Sequence, residues 1–404
     1  MLARLLPQGD PSLIAHELAR MGHTAPTQRL SGRPFAGKLM GVPQEIADAL
    51  TAWLQRQGSA CWWYSAPGAS AATTDVLFGG SDSLTMALRQ ETHQTPLLQA
   101  ALAALDAARD LQEHGPTHLR LGAYELALGQ RTYVMGILNV TPDSFSDGGL
   151  YLQPEQATKH AEEMLADGAD IIDVGGQSSR PGAAPVPAEV EHQRVVPVIR
   201  DIVKRYGALV SVDTYRASIA EAALDAGAVL INDISAMQCD PQMVSLIARR
   251  EAAVVLMHMQ GTPQTMQRAP AYRHVIDEVY GFLAQRLHWA MQHGIPRQRM
   301  VLDPGFGFGK TVRHNLTLLR GLEHFRVLGQ PLLVGTSRKS FLGRLLQREV
   351  WDRLEGTIAS VIYATLRGAA MVRVHDVKPV VQAVRLIDAL EHPSPSPSGR
   401  GEQH

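Results

Sequence analysis

The chain has little cysteine, no excess of either charge and no long apolar segment. Its 404 residues include two cysteines, Cys61 and Cys239, and 38 Lys and Arg against 39 Asp and Glu. Two cysteines offer neither a disulfide framework nor the spacing of a metal site, which is typical of a reduced, intracellular protein. A net charge of -1 argues against broad nucleic-acid binding, and no apolar run reaches the roughly 18 residues of a membrane helix. We therefore expect a soluble, cytoplasmic protein that binds neither nucleic acid nor membranes.

The pattern of apolar segments divides the chain into three parts. Residues 1–116 mix short strands and helices, including a strand over 35–42 and a helix over 43–57, which predicts a small α/β domain. The aromatic cluster at 61–64 is expected to fill the core of this domain rather than to bind a ligand. Residues 392–404 are rich in Pro and Ser and are predicted to form a disordered tail. The sequence assigns no role to the first domain.

Residues 117–391 alternate apolar and helical segments, after a hairpin expected around Gly129. The apolar segments lack a polar face, so they predict a parallel sheet that is covered on both sides. Eight such strands in about 270 residues fit a (β/α)8 TIM barrel. The alternative is an open doubly wound sheet, but no Gly-x-Gly-x-x-Gly follows the first strand. The predicted strands end near residues 140, 174, 213, 234, 257, 303, 335 and 374.

Polar residues stand at the end of every predicted strand. In a barrel these ends converge on one rim, where barrel enzymes build their active sites. The residues are Asn139, Asp173, Asp213, Asn232, Asp233, His258, Gln260, Asp303, Ser337, Arg338, Lys339, Arg373 and His375. Any single one could be a structural polar group, but loop solubility does not explain a polar residue at all eight strand ends.

The polar rim separates into two chemical groups. A set of carboxylates, an amide and an ammonium suits a flat heterocycle such as a pterin or a purine edge: Asp213, Asn232, Asp303 and Lys339. A more basic set, on the neighbouring first and last strands, suits a phosphate or pyrophosphate with a hard cation bound partly by oxygen ligands: Asn139, Arg373 and His375. The glycine-containing loops 141–149 and 175–182 flank the second set and are expected to act as mobile lids.

The motifs that carry these residues resemble the signatures of the dihydropteroate synthase family, folate-pathway enzymes that sulfonamides inhibit. The first motif is Met135-Gly136-Ile137-Leu138-Asn139-Val140-Thr141-Pro142-Asp143-Ser144-Phe145-Ser146-Asp147-Gly148-Gly149. The others are Ser211-Val212-Asp213-Thr214, Ile231-Asn232-Asp233-Ile234, Leu256-Met257-His258-Met259-Gln260-Gly261, residues 302–310, Ser337-Arg338-Lys339-Ser340 and Arg373-Val374-His375-Asp376. The resemblance runs in order from about His118 to Leu390.

The resemblance implies a reaction and a role for individual residues. The family condenses 6-hydroxymethyl-7,8-dihydropterin pyrophosphate with p-aminobenzoate and releases pyrophosphate, commonly as a homodimer. The implied catalytic residues are Asp303, Lys339, Arg373 and His375. The implied pterin ligands are Asp213, Asn232, Asp303 and Lys339, and Met257 is counted among the substrate-binding residues. Pyrophosphate and Mg²⁺ are implied at Asn139, Arg373 and His375, with Asp173 ordering that site. The implied frame of p-aminobenzoate is Ser179, Arg180, Pro181, Phe308, Ser337 and Lys339.

One position departs from the family pattern, and two other functions stay open. Gln177 stands where the second-loop motif of the family usually has Glu, so the shape is kept while the charge is lost. A pterin-binding methyltransferase would share the pterin ligands but would not need the basic groups at 337–339 and 373–375. A non-catalytic pterin-binding paralogue is suggested only by Gln177 and by the extra domain.

Overall fold

The structure is a computed structural model that describes residues 2–6, 17–19, 35–59, 61–64, 73–113, 115–141, 153–177 and 186–391. The predicted disordered tail at 392–404 lies outside the described residues. Two compact units are present: Met1–Gly115 with Glu323–Gly329, and Pro116–Leu322 with Gln330–His404. Among the described helices, none is both long and apolar enough to span a membrane.

The first unit contains a four-stranded antiparallel sheet in the order β1-β2-β4-β3. Its strands are β1 (Leu2–Leu6), β2 (Phe35–Pro43), β3 (Cys61–Tyr64) and β4 (Thr73–Gly80), and its longer helices are α1 (Gln44–Arg56), α2 (Asp82–Glu91) and α3 (Gln99–Glu113). Helix α1 buries Leu50, Trp53 and Leu54 completely or nearly so, because apolar residues spaced by three and four lie on one face of a helix. The predicted strand at 35–42 and helix at 43–57 are both found, whereas the side chains of the aromatic cluster are outside the described part.

The second unit is a parallel eight-stranded sheet whose strands alternate with helices. The strands are β7 (Tyr133–Asn139), β8 (Ile171–Gly175), β9 (Leu209–Asp213), β10 (Leu230–Asp233), β11 (Ala253–Met257), β12 (Met300–Asp303), β13 (Leu333–Val334) and β14 (Met371–Val374). The helices, numbered in chain order, are α4 (Gln153–Ala166), α5 (Ala188–Tyr206), α6 (Ala217–Asp225), α7 (Gln242–Arg250), α8 (Val275–Gln292), α9 (Val312–Arg320), α11 (Ser340–Leu346), α12 (Leu354–Leu366) and α13 (Val377–Glu391); α10 (Glu323–Arg326) belongs to the first unit.

The parallel sheet closes on itself. Strand β7 pairs with both β8 and β14, which makes the first and last strands neighbours. A parallel bridge between Leu302 and Leu332 joins the two remaining edges, and the N–H of Leu302 donates to the carbonyl of Pro331 at 2.9 Å. Closure of eight parallel strands gives the (β/α)8 barrel, so the predicted fold class is confirmed and the doubly wound alternative is wrong.

The hairpin that precedes the barrel differs from the prediction. Strand β5 (His118–Leu121) pairs with β6 (Tyr124–Ala127), so the chain turns at Gly122, with φ of +58°, and not at Gly129. Leu119 and Leu121 are fully buried against inward residues from the first halves of the barrel strands. The hairpin therefore plugs the amino-terminal end of the barrel with apolar side chains, and the polar inward residues are left at the carboxyl end.

Candidate active site

Strand register places the first polar residues side by side at the carboxyl rim. Asn139 pairs in register with Gly175, Gly175 with Asp213, and Asp213 with Asn232, on four consecutive strands. Gly175 has no side chain, and a Cβ added there would lie 3.7 Å from Oδ1 of Asn139 and 3.8 Å from Oδ2 of Asp213. The glycine thus leaves a small cradle that two oxygen atoms face.

A buried ion-pair network connects the second, third, fourth and eighth strands. Arg373 donates through Nε to Oδ2 of Asp173 at 2.6 Å and through Nη2 to Oδ2 of Asp213 at 2.7 Å. The amide of Asn232 also donates to Oδ2 of Asp173, at 2.9 Å. Asp173 is fully buried, so its carboxylate fixes both the arginine and the amide. Asp173 therefore orders the rim. Nη1 of Arg373 has no hydrogen bond to the described residues.

Burial and charge compete at these groups. Burial raises the pKa of Asp213, and the guanidinium of Arg373 opposes that rise. Burial alone would lower the pKa of Arg373, but the carboxylates of Asp173 and Asp213 outweigh burial and raise it. The arginine stays protonated, and its charge is shared between two carboxylates.

Asp303 and Lys339 meet around the glycine-rich loop that follows β12. Oδ1 of Asp303 accepts the N–H of Gly305 at 2.7 Å, while Nζ of Lys339 donates to the carbonyl of Phe306 at 2.7 Å and lies 4.2 Å from the ring centre of Phe308. Burial raises the pKa of Asp303 against the opposing effects of the Gly305 N–H and of Lys339. Burial lowers the pKa of Lys339 to about 8, and Asp303 limits that fall. Burial thus acts on the two pKa values in opposite directions, upward for Asp303 and downward for Lys339.

Apolar residues from three strand ends form a wall beside this loop. Met257 and Phe308 belong to one buried cluster with Ile234 and Met266, and Tyr215 packs against it. The cluster is apolar and partly aromatic, which suits the face of a flat ring. The structure therefore brings Met257 and Phe308, two of the predicted substrate-binding residues, into one wall.

The last two strands present a hydroxyl and an imidazole. The backbone N–H of His375 donates to Oγ of Ser337 at 3.1 Å, and this oxygen lies 3.1 Å from Nδ1 of His375. Arg338, by contrast, has a left-handed φ of +55° and pairs at the surface with Asp376, with Nε 2.9 Å from Oδ2. Ser337 and His375 thus stay coupled at the rim, whereas Arg338 is committed to Asp376.

Three polar rim residues act structurally. The carboxylate of Asp233 accepts the N–H and hydroxyl of Ser235, both at 2.7 Å, and the N–H of Met237 at 2.9 Å. Nδ1 of His258 lies 2.9 Å from Nζ of Lys310, and burial lowers the pKa of His258 to about 2. Gln260 bonds the backbone of Ala271 through both ends of its amide. These residues shape the loops that follow β10 and β11.

Some predicted residues cannot be located. Ser179, Arg180 and Pro181 lie outside the described residues, as do residues 142–152 of the first loop. Gln177 is described: its Nε2 donates to the hydroxyl of Tyr215 at 3.3 Å, while its buried Oε1 has no hydrogen-bond partner among the described residues. The predicted frame of p-aminobenzoate is therefore represented by Phe308, Ser337 and Lys339 alone.

One buried group was given no role from the sequence. Lys310 is 3 % exposed and donates to several backbone carbonyls beneath the glycine-rich loop. The available signal was a lysine directly after alternating glycines, a pattern that equally suggests a phosphate-binding loop.

The closed parallel barrel and its polar rim define this protein as a barrel with a ligand site at the carboxyl ends of its strands. Comparison with known proteins identifies its family. The family of pterin binding enzymes matches residues 135–375, and the chain belongs to that family. Dihydropteroate synthase of Escherichia coli K12 is 47 % identical over 257 residues, which cover 64 % of this chain and 91 % of that protein. The resemblance read from the strand-end motifs is thereby confirmed.

Solved structures give the same result. The dihydropteroate synthase of Yersinia pestis, in complex with a sulfonamide drug, is 43 % identical with a TM-score of 0.65, over 68 % of this chain and 99 % of that chain. The dihydropteroate synthase of Xanthomonas albilineans, in complex with 7,8-dihydropteroate, is 40 % identical with a TM-score of 0.63, over 69 % of this chain and 100 % of that chain. The family match begins at residue 135, after the first unit.

Proposed function

We propose that this protein is a dihydropteroate synthase, which joins 6-hydroxymethyl-7,8-dihydropterin pyrophosphate to p-aminobenzoate and forms 7,8-dihydropteroate and pyrophosphate. The observation that carries the proposal is the convergence of carboxylates, an amide and an ammonium at the carboxyl rim of a barrel that matches pterin binding enzymes along 135–375. The similar Xanthomonas albilineans enzyme is described in complex with 7,8-dihydropteroate. The Yersinia pestis enzyme is described with a sulfonamide drug, and we expect such drugs to inhibit this protein.

The pterin ring would be held by groups whose hydrogen-bonding character matches its edge. Asp303 supplies a buried carboxylate and Asp213 a largely buried one, both of which accept ring N–H groups, and Asn232 supplies both an acceptor and a donor. Lys339 supplies a donor that the carbonyl of Phe306 already orients. Because these groups are fixed before the substrate binds, little ordering is needed when the ring enters.

The reaction itself is a substitution at the methylene carbon. The bond from this carbon to the pyrophosphate oxygen breaks, and its electron pair leaves with pyrophosphate. The lone pair of the p-aminobenzoate nitrogen then forms the new C–N bond, and the nitrogen loses a proton. Asp303 stabilises positive charge on the pterin, while Nη1 of Arg373 and the imidazole of His375 would bind the departing anion. No enzyme nucleophile takes part.

The rim also suits a magnesium ion. Oδ1 of Asn139 faces the small cradle over Gly175, and hard oxygen atoms are the ligands that Mg²⁺ prefers. Oδ2 of Asp213 faces the same cradle but already accepts from Arg373. The described residues contain no group of three or more His, Cys, Asp or Glu side chains able to hold a metal by themselves, which fits an ion that keeps several waters and phosphate oxygens. Asn139 would hold Mg²⁺, which when bound supplies positive charge against the leaving pyrophosphate.

We also propose that the protein works in the cytoplasm as a homodimer. Large apolar side chains are exposed on the last three helices of the barrel and on the loop between α11 and α12: Leu345, Leu346, Val350, Trp351, Leu366, Leu386 and Leu390. Trp351 is 77 % exposed, and clustered exposed apolar residues commonly mark protein interfaces. Light scattering of the purified protein tests the dimer, and a mass equal to one chain would contradict it.

Two other functions are less well supported. A pterin-dependent methyltransferase would not need Arg373 and His375 at the rim, and the relatives found here are named as synthases. A non-catalytic paralogue would need a damaged site, yet the ion pairs around Arg373 are complete.

The decisive experiment is direct. The purified protein is incubated with the dihydropterin pyrophosphate, labelled p-aminobenzoate and Mg²⁺, and labelled dihydropteroate is measured by chromatography. Asp303→Asn serves as the matched control, since it keeps the shape and removes the carboxylate. Product from the wild type and little from the variant is expected. Absence of product from folded wild-type protein would remove the synthase proposal.

A further inference from the structure

Lys310 is a buried lysine that the proposed reaction does not use. Its Nζ donates to the carbonyl of Gly305 at 2.9 Å and to that of Phe308 at 3.0 Å, and it lies 2.9 Å from Nδ1 of His258. The carbonyl of His258 is a fourth, weaker acceptor at 3.4 Å. Within the part of the chain that the structure describes, no carboxylate forms an ion pair with this ammonium. Backbone carbonyls therefore supply its direct acceptors, while Asp303 acts on its charge only at longer range.

The glycines of the loop make this arrangement possible. Gly305 has a φ of +71° and Gly309 a φ of +61°, a region that side chains disfavour. A Cβ on Gly305 would lie 1.8 Å from the carbonyl oxygen of His258, and one on Gly309 would lie 2.6 Å from that of Gln260. The loop after β12 thus lies directly on the backbone after β11, and Lys310 fastens the two segments together.

The other side of the same loop belongs to the active site. The carbonyl of Phe306, between the two that bind Lys310, accepts from Nζ of Lys339 at 2.7 Å. The ring of Phe308 lies 4.2 Å from the same Nζ. The carbonyls of Gly305 and Phe308 therefore face the buried lysine, while that of Phe306 faces the lysine of the rim.

We infer that Lys310 is a positioning residue, which orients the glycine-rich loop so that the Phe306 carbonyl and the Phe308 ring face Lys339. The inference rests on the proposed function, in which Lys339 donates to the pterin ring, and on the family resemblance, which places Phe308 and Lys339 around p-aminobenzoate. Three of the proposed pterin ligands, Asp213, Asn232 and Asp303, lie at strand ends, although Asp303 also accepts the N–H of Gly305 in the loop. Loss of Lys310 therefore disturbs the p-aminobenzoate side of the site more than the pterin side.

The test separates these two sides. Lys310→Met keeps the length of the side chain and removes every donor. We expect the KM for p-aminobenzoate to rise about tenfold or more, because small displacements in a site have large effects. The Kd for the dihydropterin pyrophosphate, measured by calorimetry without p-aminobenzoate, is expected to rise less, by under about threefold. The reason is that Asp213, Asn232 and Asp303 stay on their strands and only Lys339 is displaced. If Lys310 contributed only to stability, Lys310→Met would change the KM for p-aminobenzoate and the Kd for the dihydropterin pyrophosphate by the same factor, or would change neither. Either result overturns the inference.

A matched control and a second variant complete the test. Lys38 is a fully buried lysine of the first unit, which contacts Glu17 at 3.2 Å, so Lys38→Met removes a comparable group and should leave the KM for p-aminobenzoate unchanged. If Lys310→Met does not fold, His258→Phe decides, since it removes one acceptor of Lys310 and keeps a ring against Phe282. An unchanged KM for p-aminobenzoate in folded His258→Phe overturns the inference. Inactive wild type would instead remove the proposed function.

Discussion

Nε of Arg373 donates to Oδ2 of Asp173 at 2.6 Å, and this bond ties the last strand of the barrel to the second. The arginine would otherwise be a mobile cation at the rim. With Asp173 and Asp213 as fixed partners, it can direct only Nη1 at a bound anion. The same Asp173 oxygen accepts from Asn232, so one buried carboxylate aligns a group proposed for pyrophosphate and a group proposed for the pterin.

The first prediction concerns that carboxylate. Asp173→Asn should destabilise the fold by about 3 kcal/mol, because it removes one partner from a buried ion pair. It should also lower kcat/KM by about a hundredfold, because Arg373 loses the negative charge that fixes it and the acceptor shared with Asn232 becomes a neutral amide oxygen. Urea unfolding and steady-state kinetics measure the two effects. Asp352→Asn is the control, since its pair with Arg348 is exposed and should change stability by under about 0.5 kcal/mol. Equal effects of both variants would contradict the prediction.

The second prediction is a pH dependence set by Lys339. Its pKa lies near 8 because of burial, so the ammonium is present below about pH 8 and is lost as the pH rises through that value. We expect kcat/KM for p-aminobenzoate to fall on the alkaline side near pH 8. Lys339→Arg should move this fall to higher pH, because guanidinium stays protonated. A pH profile that keeps its alkaline fall in the arginine variant would assign the titration to another group.

The third prediction links stability to Lys310. Burial lowers the pKa of Lys310 to about 7, from an ordinary value of 10.5. Between these two values the unfolded chain binds more protons than the folded protein, so this group makes stability rise with pH over that window. The difference in unfolding free energy between the wild type and Lys310→Met should therefore grow in favour of the wild type from pH 7 to 10. Lys378→Met, at an exposed site, should show no such trend. A flat difference would mean that Lys310 titrates normally.

The fourth prediction concerns Mg²⁺ and Asn139. Asn139→Ala removes one of the two oxygen atoms that face the cradle over Gly175. The Mg²⁺ concentration for half-maximal activity should rise about tenfold, because fewer protein ligands then hold the ion. Activity at saturating Mg²⁺ should recover most of the wild-type value. Titration with Mg²⁺ after treatment with EDTA measures this. An unchanged Mg²⁺ requirement would place the ion elsewhere.

The fifth prediction concerns the departure from the family pattern. Gln177→Glu should change kcat/KM by less than about threefold, because the hydroxyl of Tyr215 can donate to a carboxylate as readily as it accepts from the amide. Tyr215→Phe, made both in the wild type and in Gln177→Glu, is the control, since it removes the hydroxyl that bonds residue 177. A large gain of activity in Gln177→Glu would show instead that Gln177 limits the enzyme.

The sequence by itself determined the barrel and the identity of the rim. Strands that are apolar throughout have to be covered on both faces, so their alternation with helices predicted a closed parallel sheet. In such a sheet the carboxyl ends share one rim, so the polar residues Asn139, Asp213, Asn232, Asp303 and Arg373 could be grouped without coordinates. The position of the hairpin was wrong because Gly122 and Gly129 carry the same local signal, and only the packing of Leu119 and Leu121 selects between them.

Only the tertiary structure decided which polar residues act together and which support the loops. Asp173 and Arg373 are 200 positions apart, and a hydrogen bond over that separation depends on strand register, which short motifs do not encode. Asp213 and Asp233 look alike in sequence, yet the first faces Arg373 and the second is saturated by its own turn. Lys310 and Lys339 likewise differ only in the side of the glycine-rich loop on which they lie. The direction in which a side chain points and its burial, rather than its residue type, distinguish the residues of the site from the residues that support the surrounding loops.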